Sequence, residues 1–267
     1  MDLKLAQPVE KILAATIKRT GNLTTALGLV LIIGFAVAGA TAWLFTELAE
    51  TVQAGATLAL DNSVLQWMAI HQSATATTAA LEASALGTGT VVIMMALVAG
   101  MFLALTGQRR PAILLCVATI GGLALNLLLK LHYHRPRPHI FAWDTNVVSS
   151  SFPSGHAMNA VIVYGTIAFL AARLTDRRLV RLITQILAVV VVVAICTSRL
   201  YLGVHYPTDV LGGAIIGAAW GTFCMASLEA VQRLRRLYAP SEVSGLAPNQ
   251  ALQPDSNDRS KATFQPR

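Results

Sequence analysis

Long apolar runs, separated by short polar stretches, dominate the pattern of this chain. A helix that crosses a bilayer needs about 20 largely apolar residues. Six runs approach that length, at residues 23–45, 83–105, 111–129, 157–172, 182–197 and 210–228. The fourth and fifth are short and must borrow flanking residues at their ends. The pattern predicts an all-α, integral-membrane six-helix bundle over 23–238, preceded by a cytoplasmic segment, 1–22. Behind it, residues 239–267 are rich in Ser, Pro, Asn, Gln and charge, the composition of a disordered tail. The first run also has features of a signal peptide, since Lys11, Lys18 and Arg19 precede it and small residues lie at 38–42. Its length favours a full span.

Two smaller patterns sit within this frame. Between the first two runs, Leu58, Leu60, Val64, Leu65, Trp67, Met68 and Ile70 predict an amphipathic element lying on the membrane surface. In the last run Gly213, Gly217 and Gly221 recur every four residues, which predicts a smooth helix face for close packing against another span.

Composition agrees with a bilayer setting. Apolar residues make up 55% of the chain and charged residues only 12%, where a soluble domain carries about 25% charged residues. Cys116, Cys196 and Cys224 all lie in apolar runs, an odd and buried set that reads as packing rather than a disulfide framework. The net charge of +7 suggests nucleic acid in a soluble protein; here topology accounts for it. With both termini cytoplasmic, sixteen of the twenty Lys and Arg residues fall on the cytoplasmic side, as the positive-inside rule requires. The exceptions are Lys130, Arg135, Arg137 and Arg199, all at outer ends of spans.

Those exceptions belong to three short outer stretches. Lys130-Leu-His-Tyr-His-Arg-Pro-Arg-Pro138 follows the third run, Ser151-Phe-Pro-Ser-Gly-His156 leads into the fourth, and Ser198-Arg199 through His205 to Asp209 joins the last two. Several cations at a bilayer edge suit a phosphate or pyrophosphate, with Arg giving paired donors and Lys a point charge. A helix beginning at Ser154 and Gly155 presents free N–H groups to an anion. His205 and Asp209, four apart on the first turn of a helix, would share one face. The carboxylate then fixes the imidazole tautomer and leaves the other nitrogen free to attack phosphorus. His156, on another helix, can donate a proton to the leaving oxygen. Singly, each residue has a plainer use: snorkelling for the cations, a surface hydrogen bond for a histidine, helix termination for the prolines. Their conjunction on one face argues for a site.

Lys130-x6-Arg137-Pro138, Pro153-Ser-Gly-His156 and Ser198-Arg199-x5-His205-x3-Asp209 resemble, in spacing and order, the three signature motifs of the type 2 phosphatidic acid phosphatase family. The resemblance runs from about the second span to the sixth. It implies a six-helix membrane core with the active site at the outer ends of the helices, and metal-independent hydrolysis of a phosphomonoester or pyrophosphate through a phosphohistidine. It also implies roles: Lys130, Arg137, Ser154, Gly155 and Arg199 bind phosphate, His156 is the general acid, His205 the nucleophile and Asp209 its partner. Arg135, His132 and His134 are not motif positions and receive no role. No cofactor or metal is expected. The expected partners are the bilayer and a lipid phosphate, such as undecaprenyl pyrophosphate, phosphatidylglycerol phosphate or phosphatidic acid, in a cell inner membrane.

Rival readings are a lipid phosphotransferase, a sugar-phosphate phosphatase resembling glucose-6-phosphatase, and a non-catalytic lipid-phosphate binder or transporter. Vanadate-dependent haloperoxidases share the motifs but are soluble, which six spans oppose. A binder has no need of the His205–Asp209 pair, and transporters carry their charges mid-span. A metal centre on His132, His134 and His139 lacks a carboxylate at ligand spacing and sits among cations.

Overall fold

The structure is a computed structural model, and it describes residues 23–139 and 149–238. The expected N-terminal segment and the expected disordered tail lie outside these residues. Eight helices and no strands are found among them: α1 (Leu23–Gln53), α2 (Leu58–Ile70), α3 (Ala74–Ala85), α4 (Gly89–Leu105), α5 (Arg109–His132), α6 (Gly155–Leu174), α7 (Arg178–Tyr201) and α8 (Pro207–Tyr238). Five are long and apolar enough to cross a membrane, and α3 with α4, taken as one bent pair, would make a sixth. The short fourth and fifth runs do take in flanking residues, giving α6 and α7 lengths of 20 and 24 residues. Extended this way, α7 carries Arg199 in its last turn.

The second run departs from expectation. The apolar run predicts one helix over 83–105, but the chain breaks at Leu86–Thr88 and turns by 51° between α3 and α4. Thr88 caps α4, its hydroxyl accepting from the Val91 N–H at 3.3 Å, the role in which Thr satisfies an otherwise orphaned donor. The break is itself hydrogen-bonded. The Gly87 N–H donates to the Ser84 carbonyl, the Thr88 N–H to the Ala85 carbonyl, and the Tyr164 hydroxyl to the Leu86 carbonyl at 2.9 Å. These bonds satisfy backbone groups that would otherwise be left open in an apolar phase, as a bent span requires.

The bundle is built around α6, which packs against α8, α7, α5 and α4. Ala157, Met158, Ala160, Ile162, Val163 and Leu170 make its buried face. α6 and α8 are the least apolar and most buried of the spans, whereas α7 is the most apolar and the least buried. Ile183, Ile186, Leu187, Val189, Val190 and Val193 of α7 all point outward, as side chains facing lipid do. The surface element expected at 58–70 is the helix α2. Leu58, Leu60, Trp67 and Ile70 are exposed on it, while Leu65 and Asp61 are buried.

Of the three spaced glycines, two serve the expected close contact. A Cβ on Gly213 would lie 2.3 Å from the Ser154 carbonyl oxygen, and one on Gly217 3.0 Å from that of Met158, so α8 rests directly on the backbone of α6. Gly221 meets only Met225 of its own helix, at 3.7 Å. Gly213→Ala is therefore expected to overpack this crossing, at a cost of about 1–3 kcal/mol, seen as a lower melting temperature in detergent; Gly221→Ala should melt like the unchanged protein.

Candidate active site

Cations end two helices at one end of the bundle and a histidine begins a third. Lys130 is in the last turn of α5 and Arg199 in that of α7, where the negative end of the helix dipole favours a cation. Ser154 is the N-cap of α6, and Gly155 and His156 form its first turn. Asp209 lies in the first turn of α8. Arg137 and His205 sit on the connecting loops. The sequence placed His205 on that first turn too, but α8 starts only at Pro207. Proline suits a first helical position, because its missing N–H is one that would go unbonded there.

These pieces converge. The Ser154 N–H donates to the Asp209 carbonyl at 2.9 Å, tying the start of α6 to the start of α8. Arg137 donates through Nη1 to the Val204 carbonyl at 3.0 Å, next to His205, and through Nη2 to the Ser149 hydroxyl at 3.2 Å. Arg199 donates to the Ser84 hydroxyl at the end of α3. Lys130 and Arg137 line a cavity of about 570 Å³ together with Ser149 and Ser150. A Cβ on Gly155 would come within 2.8 Å of the Asn126 amide oxygen, so a side chain there would have to displace the Asn126 amide. Glycine there leaves the first turn of α6 open at its N-terminal end.

Several buried polar atoms at this site have no partner in the protein: Ser154 Oγ, Arg199 Nε and His205 Nδ1. Buried polar groups are ordinarily bonded. Two donors left unbonded beside a helix N-terminus and three cations are what an anionic ligand would satisfy. His205 is 1% exposed, and its Nδ1 faces Asp209 Oδ2 at 3.5 Å, a separation beyond a normal hydrogen bond. The same Oδ2 accepts from the Tyr206 N–H at 2.8 Å. Burial pushes the His205 imidazole down to about 4 against the pull of Asp209, with Arg199 and Arg137 adding to the depression. Burial likewise lowers the Arg137 guanidinium, against the pull of Asp209.

All eight residues singled out in the sequence thus lie in one region. His132, His134 and His139 are exposed at its edge. Three contributors were not foreseen. Ser84 holds Arg199, and Gly87, at the break in the second span, packs on Ile195 and His156: a Cβ there would be 2.6 Å from Ile195 Cγ2 and 3.2 Å from His156 Cβ. The third is Arg135, treated below with Asp61. An aromatic cluster fixes the loops that carry these groups, with the Phe45 and Phe152 rings stacked at 5.6 Å and Tyr133 edge-on to Phe152 at 5.2 Å. Ser151 ties together the two ends of the α5–α6 connection, its N–H donating to the Arg135 carbonyl at 2.9 Å.

Residues 111–233 match the model of the PAP2 superfamily. Phosphatidylglycerophosphatase B of Bacillus subtilis is 42% identical over 113 residues, 42% of this chain and 55% of that protein. Undecaprenyl-diphosphatase BcrC of the same organism is 30% identical over 122 residues, 43% of this chain and 57% of that one. The matched stretch therefore spans little more than half the length of these two relatives. Decaprenylphosphoryl-5-phosphoribose phosphatase of Mycobacterium tuberculosis is 32% identical over 137 residues, half of this chain and 71% of that protein. The crystal structure of a transmembrane PAP2-type phosphatidylglycerolphosphate phosphatase from Bacillus subtilis superposes with a TM-score of 0.69 at 27% identity, covering 74% of this chain and 98% of that one. The fold defines a multi-pass, all-helical membrane protein. The chain belongs to the PAP2 superfamily.

Proposed function

We propose that this protein is an integral-membrane lipid phosphatase that removes phosphate from a phosphomonoester or pyrophosphate headgroup through a phosphohistidine on His205. The observation that carries this reading is the buried His205–Asp209 pair set against unbonded donors of Ser154 and Arg199. Lys130, Arg137 and Arg199 neutralise the phosphoryl oxygens, while Ser154 and the first N–H groups of α6 cradle them. His205 Nε2 forms a bond to phosphorus as the bond to the leaving oxygen breaks, and His156 gives that oxygen its proton. In the second step water attacks the phosphohistidine, His156 takes the proton, and His205 leaves as a neutral imidazole. Asp209 stabilises the charge the ring carries in between. The charge asymmetry of the chain supports cytoplasmic termini and a site on the outer face. Undecaprenyl pyrophosphate is the favoured substrate, because an outward site suits a carrier lipid released as its pyrophosphate on that side.

Purified protein in detergent tests this. Phosphate release from undecaprenyl pyrophosphate, phosphatidylglycerol phosphate or phosphatidic acid is expected to persist in excess EDTA, because side-chain cations supply the positive charge. Vanadate, which resembles the five-coordinate transition state, should inhibit. Complete loss in EDTA, restored by Mg²⁺, would refute the cation clamp.

A further inference from the structure

α2 turns its apolar residues outward and an aspartate inward. Asp61 is wholly buried, and each of its oxygens is engaged. Oδ1 accepts from the Thr208 N–H at 3.1 Å. Oδ2 accepts from the Thr208 hydroxyl at 2.7 Å and from Arg135 Nη2 at 2.7 Å. The other arm of the same guanidinium, Nη1, donates to Asp209 Oδ1 at 2.5 Å and to the Thr208 hydroxyl at 2.8 Å. Arg135 lies over the Tyr206 ring, 4.2 Å from its centroid, and its side chain is 9% exposed. One buried fork therefore bridges two buried carboxylates from two different helices.

The arrangement bears on His205 through Asp209. With Oδ1 held by Arg135 and Oδ2 by the Tyr206 N–H, the carboxylate has one orientation, with Oδ2 towards the imidazole. Charge matters as well. Arg135 alone would cancel the charge of Asp209, the charge that stabilises an imidazolium. Asp61 offsets that cancellation, leaving the trio at −1 beside a ring that becomes positive. We propose that Asp61 and Arg135 are positioning residues for phosphoryl transfer: the fork aims Asp209 at His205, and Asp61 holds the fork and keeps the group negative. The proposal rests on His205 being the nucleophile.

The test measures kcat and KM for Asp61→Asn, Arg135→Gln, Arg135→Lys and the Asp61→Asn/Arg135→Gln double variant, with melting temperatures, on the lipid phosphate that the unchanged protein hydrolyses best. Misplacing a reacting group by about 1 Å costs about a hundredfold, so losses of about ten- to hundredfold are expected here. Arg135→Gln is expected at the upper end of that range and Asp61→Asn at the lower, in kcat, with KM nearly unchanged. The double variant should lose no more than Arg135→Gln, because Asp61 acts through Arg135. Arg135→Lys should not restore the rate, since one ammonium cannot span both carboxylates. Losses that multiply in the double variant, full activity in Arg135→Lys, or a raised KM with kcat retained would each overturn the proposal. Should Arg135→Gln fail to fold, the isosteric Asp61→Asn decides by its kcat alone. A wild-type protein inactive on every lipid phosphate would instead sink the phosphatase reading.

Discussion

His205→Ala is expected to lower kcat by about 10⁴-fold or more, as loss of a member of a catalytic unit does. No other described side chain combines full burial, a carboxylate behind one ring nitrogen and a ring of cations in front. A phosphoenzyme trapped with labelled substrate should be acid-labile, as a phosphorus–nitrogen bond is, and absent from the alanine variant; its survival there would remove His205 from the role. The pH profile gives a second reading of the same group. Only the neutral ring can attack, and burial holds the folded-state value at about 4, below the usual histidine range. kcat/KM should stay insensitive to this group near neutrality and fall about tenfold per unit below that value. An acidic limb near the ordinary histidine value of about 6.5 would mean a solvated imidazole.

The second large effect concerns the tail of the substrate. Lys130, Ser154, Arg199 and Asp209 sit at helix ends, so a phosphate reaches them while its chain stays among the spans. An apolar recess lined by Phe35, Ala38, Gly39, Leu125, Ile216 and Trp220 runs between α1, α5 and α8. Burial is worth about 0.8 kcal/mol per CH₂, so four methylenes suffice for a few hundredfold. Confinement to the membrane plane adds orientation of phosphorus for in-line attack. kcat/KM for a long-chain or polyprenyl phosphate should exceed that for p-nitrophenyl phosphate or glucose 6-phosphate by at least several hundredfold. Equal rates would hand the site to a soluble sugar phosphate.

Spacing made the three motif clusters and their helices legible, because a residue's position at the end of an apolar run fixes its depth in the bilayer. Four features were not. The break at Leu86–Thr88 falls on Gly87-Thr88-Gly89-Thr90 inside an otherwise apolar run, where Thr88 caps α4 and Gly87 fits against Ile195 and His156. Asp61 is one of several polar residues of α2, beside Asn62, Ser63 and Gln66, and its partner Arg135 is 74 residues away; nothing local links them. Arg135 was set aside as lying outside the motifs, when its side chain is the one that holds Asp209. His205 precedes its helix rather than riding on it, because Pro207 starts the helix after it.

The bent span has a consequence for how the protein enters its membrane. α3 has 12 residues and α4 has 17. At 1.5 Å per residue they reach only about 18 Å and 26 Å, short of the roughly 30 Å hydrocarbon thickness. The corner between them is closed by a residue that comes much later in the chain, since the Leu86 carbonyl accepts from the Tyr164 hydroxyl of α6. We therefore expect the second span to be fully bonded only once the fourth is in place.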